Sequence, residues 1–223
     1  GGSTNGLGQG ALTFNTTGGS NNAFGEAALA YNTTGDNNAA FGNNALLLSS
    51  TGQHNAAFGK DALKNHTGSF TSAFGSFALA SNTTGVNNSA FGYAALSFNS
   101  TGGNNTAAGY FALRANTTGF SNSAFGSNTL GVNSTGSNNN AFGDSTLASN
   151  TTGSHNVAIG KNALQANTIG AENCAVGTSA LKANTTGVGN AAFGLGALRT
   201  NQVGSNNAAF GLETLANNTA SGS

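Results

Sequence analysis

The residues of this chain that could perform acid–base, nucleophilic or metal chemistry are few and scattered. Its 223 residues include six Lys and Arg, six Asp and Glu, three His and one Cys, with no net charge. A zinc-type site needs three or four such ligands around one ion. His54 and His155 fall at the same place in a repeated unit but six units apart, roughly 29 Å at the spacing of β-strands. We therefore predict no metal site and no cofactor.

The carboxylates and the thiol form no catalytic constellation either. Asp36, Asp61 and Asp144 fall at three different places in the repeated unit, so no carboxylate column arises that could bind Ca²⁺. Cys174 is the one cysteine of the chain, so no internal disulfide can form. The residues at the same position in other units are mostly small, which favours a buried apolar role for Cys174. We predict that the chain is not an enzyme. Four cations share one place in the unit and are interpreted as a solvated face: Lys64, Arg114, Lys182 and Arg199.

The repeated unit has 17 residues and occurs thirteen times, as Asn-Thr-Thr-Gly-x-x-Asn-x-Ala-Phe-Gly-x-x-Ala-Leu-x-x, with its first Asn as position 1. Position 11 is Gly and position 15 is Leu in all thirteen copies, and position 10 is Phe in nine. One residue is missing between Leu63 and Gly68, and we expect Asn65 at position 1 and His66 at position 2 of that copy. Fixed columns at a fixed period are typical of solenoids.

The residue types favour strands over helices or disorder. The Gly residues at positions 4 and 11, and the Thr-Thr pair that six copies carry, are unfavourable inside a helix, whereas short strands separated by Gly and Asn turns fit them. A disordered linker would not keep Leu, Ala, Phe and Gly in register. We predict an all-β, parallel β-solenoid of about thirteen 17-residue coils, with residues 1–223 as a single repeat solenoid within a longer fibre.

Stacked coils place equivalent side chains above one another, which predicts columns. We expect the large apolar columns to form the core: Phe24, Phe41, Phe58, Phe74, Phe91, Phe125, Phe142, Phe193 and Phe210, with Leu29, Leu46 and Leu63. The position-7 Asn column is expected to form an amide ladder: Asn21, Asn38, Asn55, Asn88 and Asn105. Gly at positions 4 and 11 is expected to adopt positive φ, so Gly→Val there should be far worse than at variable positions.

The small residues at positions 9 and 11 favour assembly. Side chains alternate along a strand, so Ala at position 9 and Gly at position 11 share the face opposite Phe. A solvated face would not need such small residues so strictly. We interpret the Ala-Gly face as packing against another chain or against another sheet of the same coil, and predict a homo-oligomer, either a trimer or a filament.

Asn-x-Ser/Thr sequons recur along the chain and have two interpretations. Nine are candidates for N-glycosylation: Asn15, Asn32, Asn65, Asn82, Asn99, Asn116, Asn133, Asn150 and Asn184. The alternative, which we favour, is that Asn-Thr-Thr-Gly is a turn with ladder-forming side chains. The Thr rows could also bind ice, but adjacent Thr residues point in opposite directions and leave one rank.

Composition excludes several partners. Charged residues are 5% of the chain, which argues against nucleic acid as a partner, and no apolar run is long enough for membrane insertion. The scarcity of acids, Arg and Lys on any one face also disfavours a polysaccharide-cleaving enzyme.

The runs Asn156-Val157-Ala158-Ile159-Gly160 and Asn173-Cys174-Ala175-Val176-Gly177 resemble the head repeats of YadA-type trimeric autotransporter adhesins. The longer Thr-Gly-x-x-Asn-x-Ala-Phe-Gly-x-x-Ala-Leu form resembles repeats of bacteriophage tail fibres. The resemblance implies a left-handed, trimeric β-roll that binds matrix or surface molecules and is extracellular, on a cell surface or on a virion. The 17-residue period, the preference for Phe and the Asn-Thr-Thr-Gly segment depart from the adhesin pattern.

These observations predict a non-enzymatic structural segment of an extracellular fibre or filament, an adhesin head or shaft or a tail-fibre shaft. It would supply rigid length and multivalent contact with a cell-surface, matrix or carbohydrate ligand. The alternatives are an ice-binding solenoid and a glycan-coated, self-assembling surface filament.

Overall fold

The computed structural model describes residues 3–218, none of which is helical. Each coil contributes one three-residue strand. The strands are β1 Asn5–Leu7, β2 Asn22–Phe24, β3 Ala39–Phe41, β4 Ala56–Phe58, β5 Ser72–Phe74, β6 Ser89–Phe91, β7 Thr106–Ala108, β8 Ser123–Phe125, β9 Asn140–Phe142, β10 Val157–Ile159, β11 Cys174–Val176, β12 Ala191–Phe193 and β13 Ala208–Phe210.

The strands form one parallel sheet in chain order from β1 to β13, so each coil pairs with the next. Equivalent positions lie side by side: Ala40 is opposite Ala57, and Phe41 is opposite Phe58. The missing residue does not disturb the register, since Phe58 is opposite Phe74 across it. The predicted all-β, parallel β-solenoid with coils of about 17 residues is therefore confirmed.

The described chain divides into two compact units, residues 3–106 and 107–218. Within each unit the same bends shape every coil. Positions 6, 13 and 15 adopt left-handed backbone, as at Asn87 (φ 57°), Ala94 (φ 53°) and Leu96 (φ 53°). Such angles cost a non-glycine residue on the order of 1 kcal/mol. Complete burial of the Leu96 side chain, worth about 2 kcal/mol, offsets that cost at position 15.

The two glycine columns serve different purposes. Gly92 at position 11 has a φ of 131°, as expected. Gly85 at position 4 does not have positive φ, so that part of the prediction is wrong. Position 4 is glycine for lack of space, because a Cβ on Gly85 would lie 2.6 Å from Oδ1 of Asn82.

The core of each coil is small and partly polar. It contains Ala at position 9, mostly Ala at position 14, Leu at position 15 and two columns of Asn, nearly all fully buried. Leu29, Leu46 and Leu63 belong to it, with no exposed surface.

The Phe column is not in the core, and that prediction is wrong. The rings stack from coil to coil but lie outside, where those of Phe24, Phe74 and Phe91 are 37%, 37% and 44% exposed. The strand places position 9 inward, so positions 8 and 10 must point outward. The same correction applies, with each ring at least partly exposed, to Phe41, Phe58, Phe125, Phe142, Phe193 and Phe210.

Candidate functional site

The most distinctive surface is formed by the outward side chains of positions 8 and 10, which we call the Phe face. In the first unit its rings stack from Phe24 to Phe91 with centroids 4.7–5.2 Å apart. In the second unit the rings of Phe125 and Phe142 stack at 5.0 Å. Parallel pairing of identical positions imposes this stacking, because the strand spacing is close to the separation at which aromatic rings pack.

The Phe face carries no charge. Position 10 is apolar in every copy, and position 8 is uncharged in every copy, where it is Asn, Ala, Ser, Thr, Val or Cys. Cys174 belongs to this face and is half-buried, not buried as its small counterparts suggested. Partial burial raises the pKa of its thiol. An extended, charge-free surface with stacked aromatic rings is the type of patch that marks interaction sites.

The Ala-Gly face is inside the coil, so it packs within its own chain and the alternative that it joins copies of the chain is wrong. Ala90 at position 9 is fully buried within its own chain. Position 11 is small because the next coil lies against it: a Cβ on Gly75 would lie 2.7 Å from the Gly92 carbonyl carbon. The strict small residues thus have an intrachain explanation, and the surface left for a partner is the Phe face.

The position-7 asparagines form a ladder through the coil interior. Asn38 donates from Nδ2 to Oδ1 of Asn21 (3.1 Å) and to the Gly52 carbonyl (2.8 Å). Its backbone N–H also donates to Asn21 Oδ1, at 2.9 Å. The backbone N–H of Asn55 donates to Asn38 Oδ1 at 3.0 Å, and the backbone N–H of Asn105 donates to Asn88 Oδ1 at 3.0 Å. The ladder satisfies buried amides and holds adjacent coils together.

The position-1 asparagines form a second ladder, in agreement with the interpretation of Asn-Thr-Thr-Gly as a turn with ladder-forming side chains. Asn150 donates from Nδ2 to Oδ1 of Asn133 (2.8 Å) and to the Gly153 carbonyl (2.9 Å). Asn32 donates in the same way to Asn15 Oδ1 at 2.8 Å.

This second ladder contradicts glycosylation of the position-1 sequons in the folded chain. N-glycans are attached to Nδ2, which is the atom that donates in the ladder. Asn15 is partly buried and its Nδ2 donates to the Gly18 carbonyl at 2.9 Å. Asn65 lies at position 17 and is half-buried. The remaining candidates are completely buried: Asn32, Asn82, Asn99, Asn116, Asn133, Asn150 and Asn184.

His66 replaces asparagine in this ladder, so it occupies position 1 and not position 2. Its backbone N–H donates to Leu63 O at 3.1 Å, matching Asn82 to Leu79 O at 3.0 Å. Its Nδ1 lies 2.8 Å from Nδ2 of Asn82. Burial lowers the pKa of His66 to about 4, although the Thr83 backbone partly opposes this.

His66 should make the protein acid-labile. Because its folded pKa of about 4 lies below the unfolded value of 6.5, its contribution is present above pH 6.5 and is lost as the pH falls towards 4. The loss amounts to about 3 kcal/mol. We expect His66→Asn to reduce the difference in urea stability between pH 7.5 and pH 4 by that amount. His155→Asn, on the surface at position 6, should leave it unchanged; equal pH dependence in both variants would contradict this assignment.

A shallow groove of about 480 Å³ follows positions 16 and 17 between Ala148 and Thr200. Lys182 and Arg199 line it from adjacent coils. Among the described residues neither forms an ion pair, whereas Lys64 lies 3.5 Å from Asp61. The groove combines small apolar residues with two cations, a lining that suits a small anionic group.

The threonine rows differ in what their hydroxyls do. Position-2 hydroxyls donate to the carbonyl of the same position in the next coil, as Thr33 does to Ser50 O at 3.0 Å. Position-3 threonines such as Thr34 are exposed. Of the two threonine rows that an ice-binding surface would need, only the position-3 row has hydroxyls that are not used in this bond between coils.

Comparisons with known proteins found no match to a protein-family model, to a curated protein or to a solved structure. Within residues 3–218, no group of three or more His, Cys, Asp or Glu is placed to hold a metal ion. No helix in that range is long and apolar enough to cross a membrane.

Proposed function

We propose that the chain is a non-enzymatic structural segment of an extracellular fibre, on a cell surface or a virion, that assembles with copies of itself through the Phe face. The observation that carries this proposal is the column of stacked but exposed rings. Rings that only stabilised their own coil would be expected to lie inside it. Burying the exposed part of each ring against a partner would contribute on the order of 1 kcal/mol per coil.

The partner that fits this surface best is a second copy of the chain. The face repeats at the strand spacing, so a surface with the same period can match it coil for coil. Such matching is achieved when the coil axes are parallel and equivalent coils lie at the same level. Closed symmetry of this kind buries the same patch on every subunit. The resemblance to trimeric adhesin heads favours three chains and a left-handed coil.

The proposed role is mechanical. Parallel sheet pairing joins successive coils and the two asparagine ladders reinforce it in most of them, which gives stiffness without a large apolar core. Weak contacts with carbohydrate or matrix molecules, for which the Lys182–Arg199 groove is a candidate, would gain strength from repetition across an assembled fibre.

Phe142→Asp tests the assembly surface. Introducing a charge beside Phe125 should weaken association at least about 100-fold, because the carboxylate would be buried without a partner. Light scattering should show the wild-type chain as an oligomer, most simply a trimer, and the variant as a monomer with an unchanged circular dichroism spectrum. Thr178→Asp, at exposed position 12, should remain oligomeric. A monomeric wild-type chain, or dissociation by both variants, would refute the proposal.

Cys174 offers an independent readout of the same arrangement. In a parallel, in-register oligomer its sulfur faces the same sulfur of neighbouring chains, so a short bis-maleimide should crosslink the wild-type chain. Because the raised thiol pKa slows reaction, the experiment belongs at mildly alkaline pH. Crosslinking should disappear with Phe142→Asp. Glycan or cell binding that disappears with it would support the multivalent role.

A further inference from the structure

The position-1 ladder is interrupted in the first unit, and unpaired polar atoms collect at the interruption. Ser49 stands where the neighbouring coils have Asn32 and His66. Asn32 Oδ1, Ser49 Oγ and His66 Nε2 are all buried and have no hydrogen-bond partner in the described chain. The Thr83 backbone influences the pKa of His66 but forms no hydrogen bond of acceptable geometry with Nε2. Leaving a buried polar group without a hydrogen bond destabilises the fold, so three such groups on successive coils call for further partners.

The uninterrupted coils show what is missing at Ser49. In the preceding coil the Gly35 carbonyl accepts from Asn32 Nδ2 (3.1 Å) and from Asn21 Nδ2 (2.7 Å). The equivalent Gly52 carbonyl accepts from Asn38 Nδ2 at 2.8 Å. The Ser49 hydroxyl, which reaches less far than an asparagine carboxamide, does not supply the other bond. The gap thus needs a donor to Asn32 Oδ1 and to the Gly52 carbonyl.

The histidine on the other side of Ser49 presents a donor. Asn82 must point its Nδ2 at His66, because its Oδ1 accepts from Asn99 at 2.8 Å. Nδ1 of His66 is therefore an acceptor, and the proton of the neutral ring is on Nε2. The three unpaired atoms are an acceptor, a hydroxyl and a donor. A cation cannot accept from Nε2–H, and an anion without a proton cannot donate to Asn32 Oδ1.

We propose that this gap is a binding site for one or two buried water molecules that complete the ladder. One water takes the place of the absent amide group, donating to Asn32 Oδ1 and the Gly52 carbonyl and accepting from the Ser49 hydroxyl. His66 Nε2–H donates to the same water or to a second one. Serine has two fewer side-chain heavy atoms than asparagine, and the unpaired polar atoms around it are the partners that a buried water needs.

Two reciprocal variants test the site. Ser49→Asn should displace the water by restoring the amide, and Asn150→Ser should create a new water site between Asn133 and Asn167. Oxygen-17 relaxation of the solvent, which counts long-lived internal waters, should show one or two fewer in Ser49→Asn than in the wild type and one more in Asn150→Ser. The thermal midpoint of Ser49→Asn should rise by about 2–4 °C.

An unchanged water count in both variants would overturn the proposal. A high-resolution crystal structure of the wild-type protein gives a test that depends on no variant, since density should lie within hydrogen-bond distance of Asn32 Oδ1 and Ser49 Oγ. Direct contact between those two atoms in the crystal, with no density between them, would also overturn it.

Discussion

Replacing Gly177 by valine should unfold the second unit, or cost it at least about 4 kcal/mol. Gly177 has a φ of 133°, a backbone conformation that side-chain-bearing residues rarely adopt. A Cβ at this position would lie 2.6 Å from the carbonyl carbon of Gly194 and 3.0 Å from the backbone nitrogen of Leu195. The obstacle is backbone of the next coil, which is itself held by pairing and cannot move aside cheaply. Chemical denaturation followed by circular dichroism would measure the loss.

The neighbouring residue provides a matched control for this substitution. Thr178 lies at exposed position 12, and Thr178→Val keeps the branched shape while leaving the glycine in place. We expect a change within about 0.5 kcal/mol. If Gly177→Val proved as stable as Thr178→Val, the close stacking of coils at position 11 would be wrong.

Replacing Asn133 by alanine should destabilise the second unit by about 4 kcal/mol. Its Nδ2 donates to Asn116 Oδ1 (2.8 Å) and to the Gly136 carbonyl (2.9 Å), and its Oδ1 accepts from Asn150 (2.8 Å). Alanine leaves all three groups short of a buried hydrogen bond, at about 1–3 kcal/mol each, and it opens a space in the core. Urea denaturation would measure the change.

Asn140→Ala is the matched control, because it removes an asparagine that does not belong to either ladder. Asn140 lies at exposed position 8, where other copies already carry alanine, and we expect a change within about 0.5 kcal/mol. Equal losses in the two variants would show that buried amides contribute nothing special to this fold.

The sequence was sufficient for the repeat, the strands and the side chains that stack on each other. A strict 17-residue period places each position of one coil against the same position of the next. The Phe column and the Leu column therefore form whatever path the chain takes within a coil. It also revealed the position-7 ladder, because an invariant Asn in a stacked column has its own copies as hydrogen-bond partners.

Only the tertiary structure decided which side of each strand faces inward. Alternation divides a strand into two faces but does not say which one is buried. Here one face carries Phe and the other carries Ala and Gly, and either could have been buried. The coil is too narrow to contain a column of rings in addition to Leu and two Asn columns, so the small residues went inside and Phe outside. The position of His66 depended on the structure for a similar reason. A one-residue deletion can be placed in several ways along the sequence, and the hydrogen bonds to Leu63 and Asn82 select one of them.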